Sequence, residues 1–303
     1  MTPNEVSFVF DAFLHETDPN DPAVLLGWLA DELEHVRRRC SPTAWRAACQ
    51  ASRTHALFAL LERDPFIASA RRRDGGVPLG ARVIDHLLLP HWHRPYGDAI
   101  GVELHRQSTG SGFAAAMRTV HGTITSAIVM AASRAADRCQ VVAIASGYAR
   151  ELQRVRAELR RSIDFVHVTA DRDAAASLAI AETHRARLAA LPLGEWRRAR
   201  PATPAADLVY APGLCAFLTD ELAGRVIHAL AGTLRPGGQL LLVNPTSANW
   251  ERGFVEAVLG VYLTYRNIVD WPRLTSPLDP SLLVRTSTSA DERLTWLTVT
   301  RSV

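Results

Sequence analysis

The chain contains no lysine; all 34 of its basic residues are arginine, spread over 303 positions. Arginine alone, without aromatic striping, reads as codon composition rather than a phosphate-binding surface, and a net charge of +3 is too mild for a nucleic-acid partner. Cysteine is scarce as well. Cys40, Cys49, Cys139 and Cys215 are far apart and lack the paired spacing of a metal site or disulfide framework. They read as buried free thiols of a reducing compartment. Long apolar runs are missing: stretches such as Ala127 to Ala132 fall far short of a membrane span. Met1 to Asp11 has no basic stretch leading into a long apolar one, so no signal peptide is expected. These absences leave a cytoplasmic protein acting on a small molecule, with no nucleic acid and no membrane as partner.

What is present suits a globular chain with one large core or two modest ones: 48% hydrophobic and 21% charged residues. Residues 4 to about 70 read as helical. Leu25, Leu26, Trp28, Leu29, Leu33 and Val36 recur at three- and four-residue steps, and Leu57, Leu60 and Leu61 repeat the pattern. Asp18 to Pro22 and Ser41-Pro42 break it, with Ser41 an N-cap and Pro42 the first helical residue. The polar turn Arg71 to Pro78 is the best boundary. A further helix, Phe113 to Ala136, leads to a strand starting at Gln140. The expected organisation is a helical N-terminal domain (1–76), a helical linker or lid (77–139) and an α/β domain (140–303). The helical N-terminal region is also the candidate surface for a homodimer.

Val141 to Ile144 run straight into a small-residue turn, Ala145-Ser146-Gly147, and Arg150 to Leu159 read as the helix behind it. Such a turn at a strand's carboxyl end presents free backbone N–H groups, and in open α/β sheets nucleotide-like ligands bind there. A lone glycine is a weak signal; its partner lies 24 residues past Gly147. Asp171 ends the next predicted strand, Asp164 to Ala170, where a carboxylate can accept hydrogen bonds from both hydroxyls of a ribose. The alternative is a cap for the helix Ala174 to Ala190; Asp173, two residues on, is better placed for the cap than for the ribose.

Ala206 to Ala211 form a short apolar strand, and Thr219 to Leu234 a helix. Arg235-Pro236-Gly237-Gly238 is a turn before the strand Gln239 to Asn244. Strand, helix, Pro-Gly-Gly and strand together resemble the second half of class I S-adenosylmethionine (SAM) methyltransferases. Ala145-Ser146-Gly147-Tyr148-Ala149-Arg150-Glu151 and Tyr210-Ala211-Pro212-Gly213-Leu214 are similar to a bacterial branch of that superfamily. That branch includes enzymes proposed to form 3-hydroxy fatty acid methyl esters, and it also resembles enzymes that cyclise SAM to azetidine-2-carboxylate. The likeness covers residues 80 to 303. It implies a Rossmann-like core, a mostly parallel seven-stranded sheet whose last strand is antiparallel, behind the all-helical N-terminal extension. It also implies SAM as cofactor. Trp250 to Tyr265 should be helical. Leu282 to Ser287 and Leu294 to Thr300 should supply the final strand pair, which periodicity alone reads only as a hairpin.

The chain departs from the family where the ligand should sit. The acid that ends the first strand and anchors the SAM amino group is here Ala143, and two of the usual glycines are Ala145 and Ala149. The alanines narrow the backbone's approach to a ligand but still permit a right-handed turn. Another residue must therefore anchor the amino group. Leu191 to Arg200 contain no readable third strand, so no adenine contact can be named.

Ala145, Ser146, Gly147, Tyr148, Arg150, Asp171, Arg172 and Tyr210 form the candidate cofactor site. Tyr210, at the end of the fourth strand, either bonds the methionine part of SAM or is a core tyrosine bonded to backbone. Asn244, on the other wall of the crevice, either orients an acceptor or caps the turn at Pro245. Tyr96 either closes over a sulfonium by cation–π attraction or anchors a linker. With Tyr210, these two are the candidate catalytic residues. Tyr262, Tyr265 and Arg266 would share one helix face as second-rank substrate contacts, unless that stripe is core. Arg150 at a helix start opposes the macrodipole and so has either a carboxylate partner or only solvent. His91-Trp92-His93 has poor spacing for zinc, so no metal is expected.

The expected activity is SAM-dependent methylation of a small metabolite at oxygen, nitrogen or sulfur. One alternative is cyclisation of SAM by its own amino nitrogen, releasing methylthioadenosine. That chemistry needs a neutral amine and so an aromatic site without a nearby carboxylate. The other is a binding protein that keeps the fold without its chemistry.

Overall fold

The computed structural model describes residues 5–16, 25–73, 76–93, 95, 98–160, 162–180, 187–189, 206–249, 251–276 and 278–302. They form two compact units, 1–118 with 249–262, and 119–248 with 263–303.

The first unit is helical. α1 (Glu5–Glu16) buries Val6, Val9, Phe10 and Phe13, and α2 (Leu25–Arg39) buries Leu26, Leu29, Leu33 and Val36, both at helical spacing. α3 (Pro42–Ala51) begins as expected: Ser41 Oγ accepts from the Ala44 N–H at 3.3 Å, with Pro42 in the first turn. The break at 18–22 lies outside the described residues. α4 (Leu57–Leu61), α5 (Pro65–Arg72), α6 (Ala81–Leu88) and α7 (Ala99–Gly110) complete the bundle. The polar stretch 71–78 falls inside this unit rather than at its edge, because buried polar contacts tie the helices on either side of it. Fully buried Asp64, the cap of α5, accepts from Ser108 Oγ at 2.6 Å and lies 2.8 Å from His105 Nδ1, both on α7. The unit boundary instead falls within α8 (Gly112–Arg134).

The expected helix Trp250 to Tyr265 is shortened to Arg252–Ala257. Gly260 adopts a φ of +67°, which an α-helix cannot continue through. Tyr262, Tyr265 and Arg266 therefore lie beyond the helix and do not share a helical face.

The second unit is built on seven strands: β1 (Cys139–Ile144), β2 (Ile163–Val168), β3 (Arg187–Ala189), β4 (Ala206–Pro212), β5 (Leu234–Pro245), β6 (Leu282–Thr288) and β7 (Leu294–Arg301). Their order is β3-β2-β1-β4-β5-β7-β6. The strands from β3 through β5 are parallel, and β7 runs antiparallel to both neighbours. This is a Rossmann-like sheet with its last strand in chain order inserted antiparallel. Near-continuous apolar runs in β1, β4 and β5 reflect a sheet covered on both faces. On one face Val142, Ile144, Val209, Ala211, Leu240 and Leu242 form a core with Ala223, Ile227 and Leu230 of a helix at Asp220–Ala231 and with Trp271. At the start of β5, a side chain at Gly238 would collide with the carbonyl oxygens of Ala206 and Arg235, which explains the second glycine after Pro236.

Two predicted helices differ. The helix after β1 is two short pieces, α9 (Arg150–Arg154) and α10 (Ala157–Arg160), because Val155 is extended. The helix after β2 is α11 (Arg172–Ile180), and residues 187–189, expected as helix, are instead the third strand. Residues 191–200 lie outside the described residues.

Candidate functional site

The carboxyl end of β1 passes into a turn held in an uncommon conformation. Ala145, Gly147 and Ala149 take φ of +53°, +64° and +50°. The two alanines therefore do not adopt right-handed geometry. Each holds the left-handed backbone that glycine adopts freely, at a cost of about 1 kcal/mol. The loop keeps the shape of a glycine turn although only one of its three left-handed positions is glycine.

Beneath the turn lies a polar row that the alternation of the strands creates. Ala143 of β1 is paired in register with His167 of β2 and with Tyr210 of β4. Partners in register point to the same face, here the face opposite the apolar core described above. His167 and Tyr210 are fully buried on either side of the small Ala143. The Tyr210 hydroxyl donates to Glu151 Oε1 at 2.5 Å, and Glu151 Oε2 lies 2.9 Å from His121 Nε2 on α8. That last approach has the distance of an ion pair but is poorly aligned for a hydrogen bond. On the other side, Ser146 sends its backbone N–H to His167 Nε2 at 3.3 Å, and its hydroxyl lies 3.2 Å from the same atom. His121, Glu151 and Tyr210 thus form one buried polar group and Ser146 and His167 another, on either side of Ala143.

Burial alone would raise the Glu151 carboxyl, but His121 and the Tyr210 hydroxyl outweigh it and hold its pKa below the ordinary value. Burial, reinforced by that carboxylate, pushes the Tyr210 phenol well above its usual range. Tyr210 is therefore a neutral donor to an anion. Burial also lowers His167 to about 4, against the pull of Glu151 and Asp171. Its imidazole is neutral, with Nε2 accepting from Ser146. His167 Nδ1 and His121 Nδ1 have no hydrogen-bond partner among the described residues.

Of the expected cofactor residues, Ala145 is exposed and Ser146 and Gly147 are buried. Tyr148 is half-buried, with the Arg150 guanidinium 5.4 Å from its ring centre. Arg150 Nη1 also donates to Gln153 at 2.9 Å. Asp171 stands at the tip of β2 and caps α11: its Oδ1 accepts from the N–H groups of Asp173 and Ala174 at 2.8 and 3.0 Å. Asp171 immediately precedes the first helical residue, as the cap alternative expects. Arg172 is exposed at that first position.

Asn244 and Arg266 do other work than expected. Fully buried Asn244 donates through Nδ2 to the carbonyls of Pro245 and Thr264 at 3.0 and 2.8 Å, and its Oδ1 accepts from Arg266 at 3.1 Å. No polar atom of its amide is left to orient an acceptor. Arg266, 2% exposed, donates to the carbonyls of Cys215 and Leu218 at 2.6 and 2.7 Å and to Asp220 at 3.0 Å. It ties the loop after β4 to the end of β5 and is a structural arginine rather than a substrate contact. Tyr262 belongs to the helical unit, where Arg46 lies 4.8 Å from its ring centre, while Tyr265 is half-buried in the second unit. Tyr96 lies outside the described residues. His93 of the histidine pair is 3.0 Å from Asp85.

His121, Glu151 and His167, buried on either side of Ala143, are not among the candidates the sequence offers. The signal was a polar residue interrupting an apolar run, as in Val166-His167-Val168, but only strand register shows that it faces Tyr210 across Ala143.

No protein-family model and no curated protein matches the sequence. Solved structures do. A protein described as a possible exported protein of Bordetella parapertussis is 14% identical, with a TM-score of 0.58 over 98% of this chain and 97% of its own. The plantazolicin methyltransferase BpumL, solved with S-adenosylhomocysteine (SAH), is 10% identical at a TM-score of 0.47 over 74% and 95% of the two chains. Magnesium protoporphyrin IX methyltransferase of Synechocystis, solved with SAM, is 14% identical at 0.44 over 73% and 96%. At these identities the first likeness bears on fold alone, and the two methyltransferases align too loosely to add to it.

Proposed function

We propose that the chain is a SAM-dependent methyltransferase of a small metabolite. The observation that carries this reading is the glycine-type turn at the carboxyl end of β1. Two alanines are strained into left-handed backbone above a buried, hydrogen-bonded anion, in a sheet of methyltransferase strand order. Strain of this kind persists where a ligand site requires it. The residues suit the group: the turn at 145–149 for its amino-acid part, the anion behind Tyr210 for its ammonium, and Asp171 at the next strand tip for its ribose. SAM when bound supplies an electrophilic methyl carbon, so the protein need only orient an acceptor and exclude water.

Glu151 also weighs between reactions. Cyclisation requires the ligand's amine to be neutral, and a carboxylate behind Tyr210 favours the ammonium instead. Protein incubated with SAM and no acceptor should therefore release no methylthioadenosine above the rate without protein. Addition of the acceptor should yield SAH. Methylthioadenosine accumulating with turnover in the absence of acceptor would overturn methyl transfer in favour of cyclisation.

A further inference from the structure

The strand position that carries the amino-group anchor in the resembled family is Ala143, so on that reading of function the chain must supply the charge from elsewhere. We propose that Glu151 supplies it, acting through Tyr210 as the positioning residue for the ammonium of the bound ligand's amino-acid part.

Three observations converge on this assignment. Tyr210 is the residue directly beside Ala143 on the neighbouring strand, so the group it holds is brought to the level of the missing acid. Glu151 is fully buried and lies two residues past the strained loop, with Oε1 on the Tyr210 hydroxyl and Oε2 toward His121. A buried anion that served packing alone could be replaced by an apolar group without loss. Here it stands beside the one small residue of the row, His167–Ala143–Tyr210, where an alanine side chain leaves the carboxyl end of β1 without polar atoms of its own. The field of a charge in a site with little water reaches further than in solvent, so Glu151 can favour a cation at the turn without touching it.

The test uses two nucleosides that differ in the amino-acid part bearing that cation. SAH carries the ammonium and methylthioadenosine does not. Glu151→Gln keeps the shape and an acceptor for Tyr210 while removing the charge. Titration calorimetry should show SAH affinity falling by at least about tenfold in Glu151→Gln, while methylthioadenosine affinity stays within about twofold. Adding Ala143→Asp to Glu151→Gln should return SAH affinity to within about threefold of wild type. If Glu151→Gln does not fold alone, the double variant decides: it should prefer SAH over methylthioadenosine as the wild type does, and loss of that preference would overturn the assignment. Equal losses for both nucleosides in Glu151→Gln, or no loss for SAH, would overturn it while leaving SAM binding intact. Wild-type protein that binds neither nucleoside would overturn the functional reading and this assignment with it.

Discussion

His167 sets a limit on the acid side. Its folded pKa is depressed from the ordinary value of about 6.5 to about 4 because the imidazole is buried. The unfolded chain therefore binds the extra proton first as pH falls. The stability His167 contributes is complete above about pH 6.5 and is lost progressively down to about pH 4. Buried His86, lowered to about 3, acts in the same direction. Urea unfolding followed from pH 7.5 to 4.5 should show stability falling throughout. His167→Gln, which retains an acceptor for Ser146, should lose about 2 kcal/mol less over that range. An unchanged slope would mean that His167 is protonated in the folded protein. Such residue-level chemistry was only partly legible in the sequence. Tyr210 and Asp171 could be picked out because they end strands. Glu151 looked like an ordinary helix-start acid until its hydroxyl partner came from a strand 59 positions away.

Among elements, strands were easier to read than the segments between them. β1, β4, β5 and the pair β6–β7 carry apolar runs or alternation bounded by turn residues, and they lie within a residue or two of expectation except at the start of β5, which begins at Leu234. The three-residue β3 is too short for any period to register, and the tail of the preceding helical pattern masked it. The segment after Ala257 failed for another reason. Its tyrosine and arginine spacing is helical, but Gly260 takes a positive φ and Arg266 is drawn into tertiary hydrogen bonds. Those bonds make a prediction about the loop after β4. Arg266→Met should strand the carbonyls of Cys215 and Leu218 and lower stability by about 3 kcal/mol. Arg266→Lys should recover little, because an ammonium cannot reproduce the planar fork. Chemical denaturation of both variants checks this, and a lysine variant as stable as wild type would contradict it.

At the scale of the whole molecule, strand order, the antiparallel β7 and an all-helical first unit follow the expected architecture. The domain edge does not. Buried partners of Asp64 join the two sides of the polar turn at 71–78, and a composition shift carries no information about such contacts. Among the described residues no helix is long and apolar enough to cross a membrane. Central to the proposed function is that the strained turn and the buried anion beneath it form a site for SAM. Titration of the purified 303-residue chain with SAH tests it most directly. One site per chain with micromolar-scale affinity, roughly −8 kcal/mol, together with a rise in melting temperature, is the expected result. No heat and no thermal shift with SAH at millimolar concentration would contradict it.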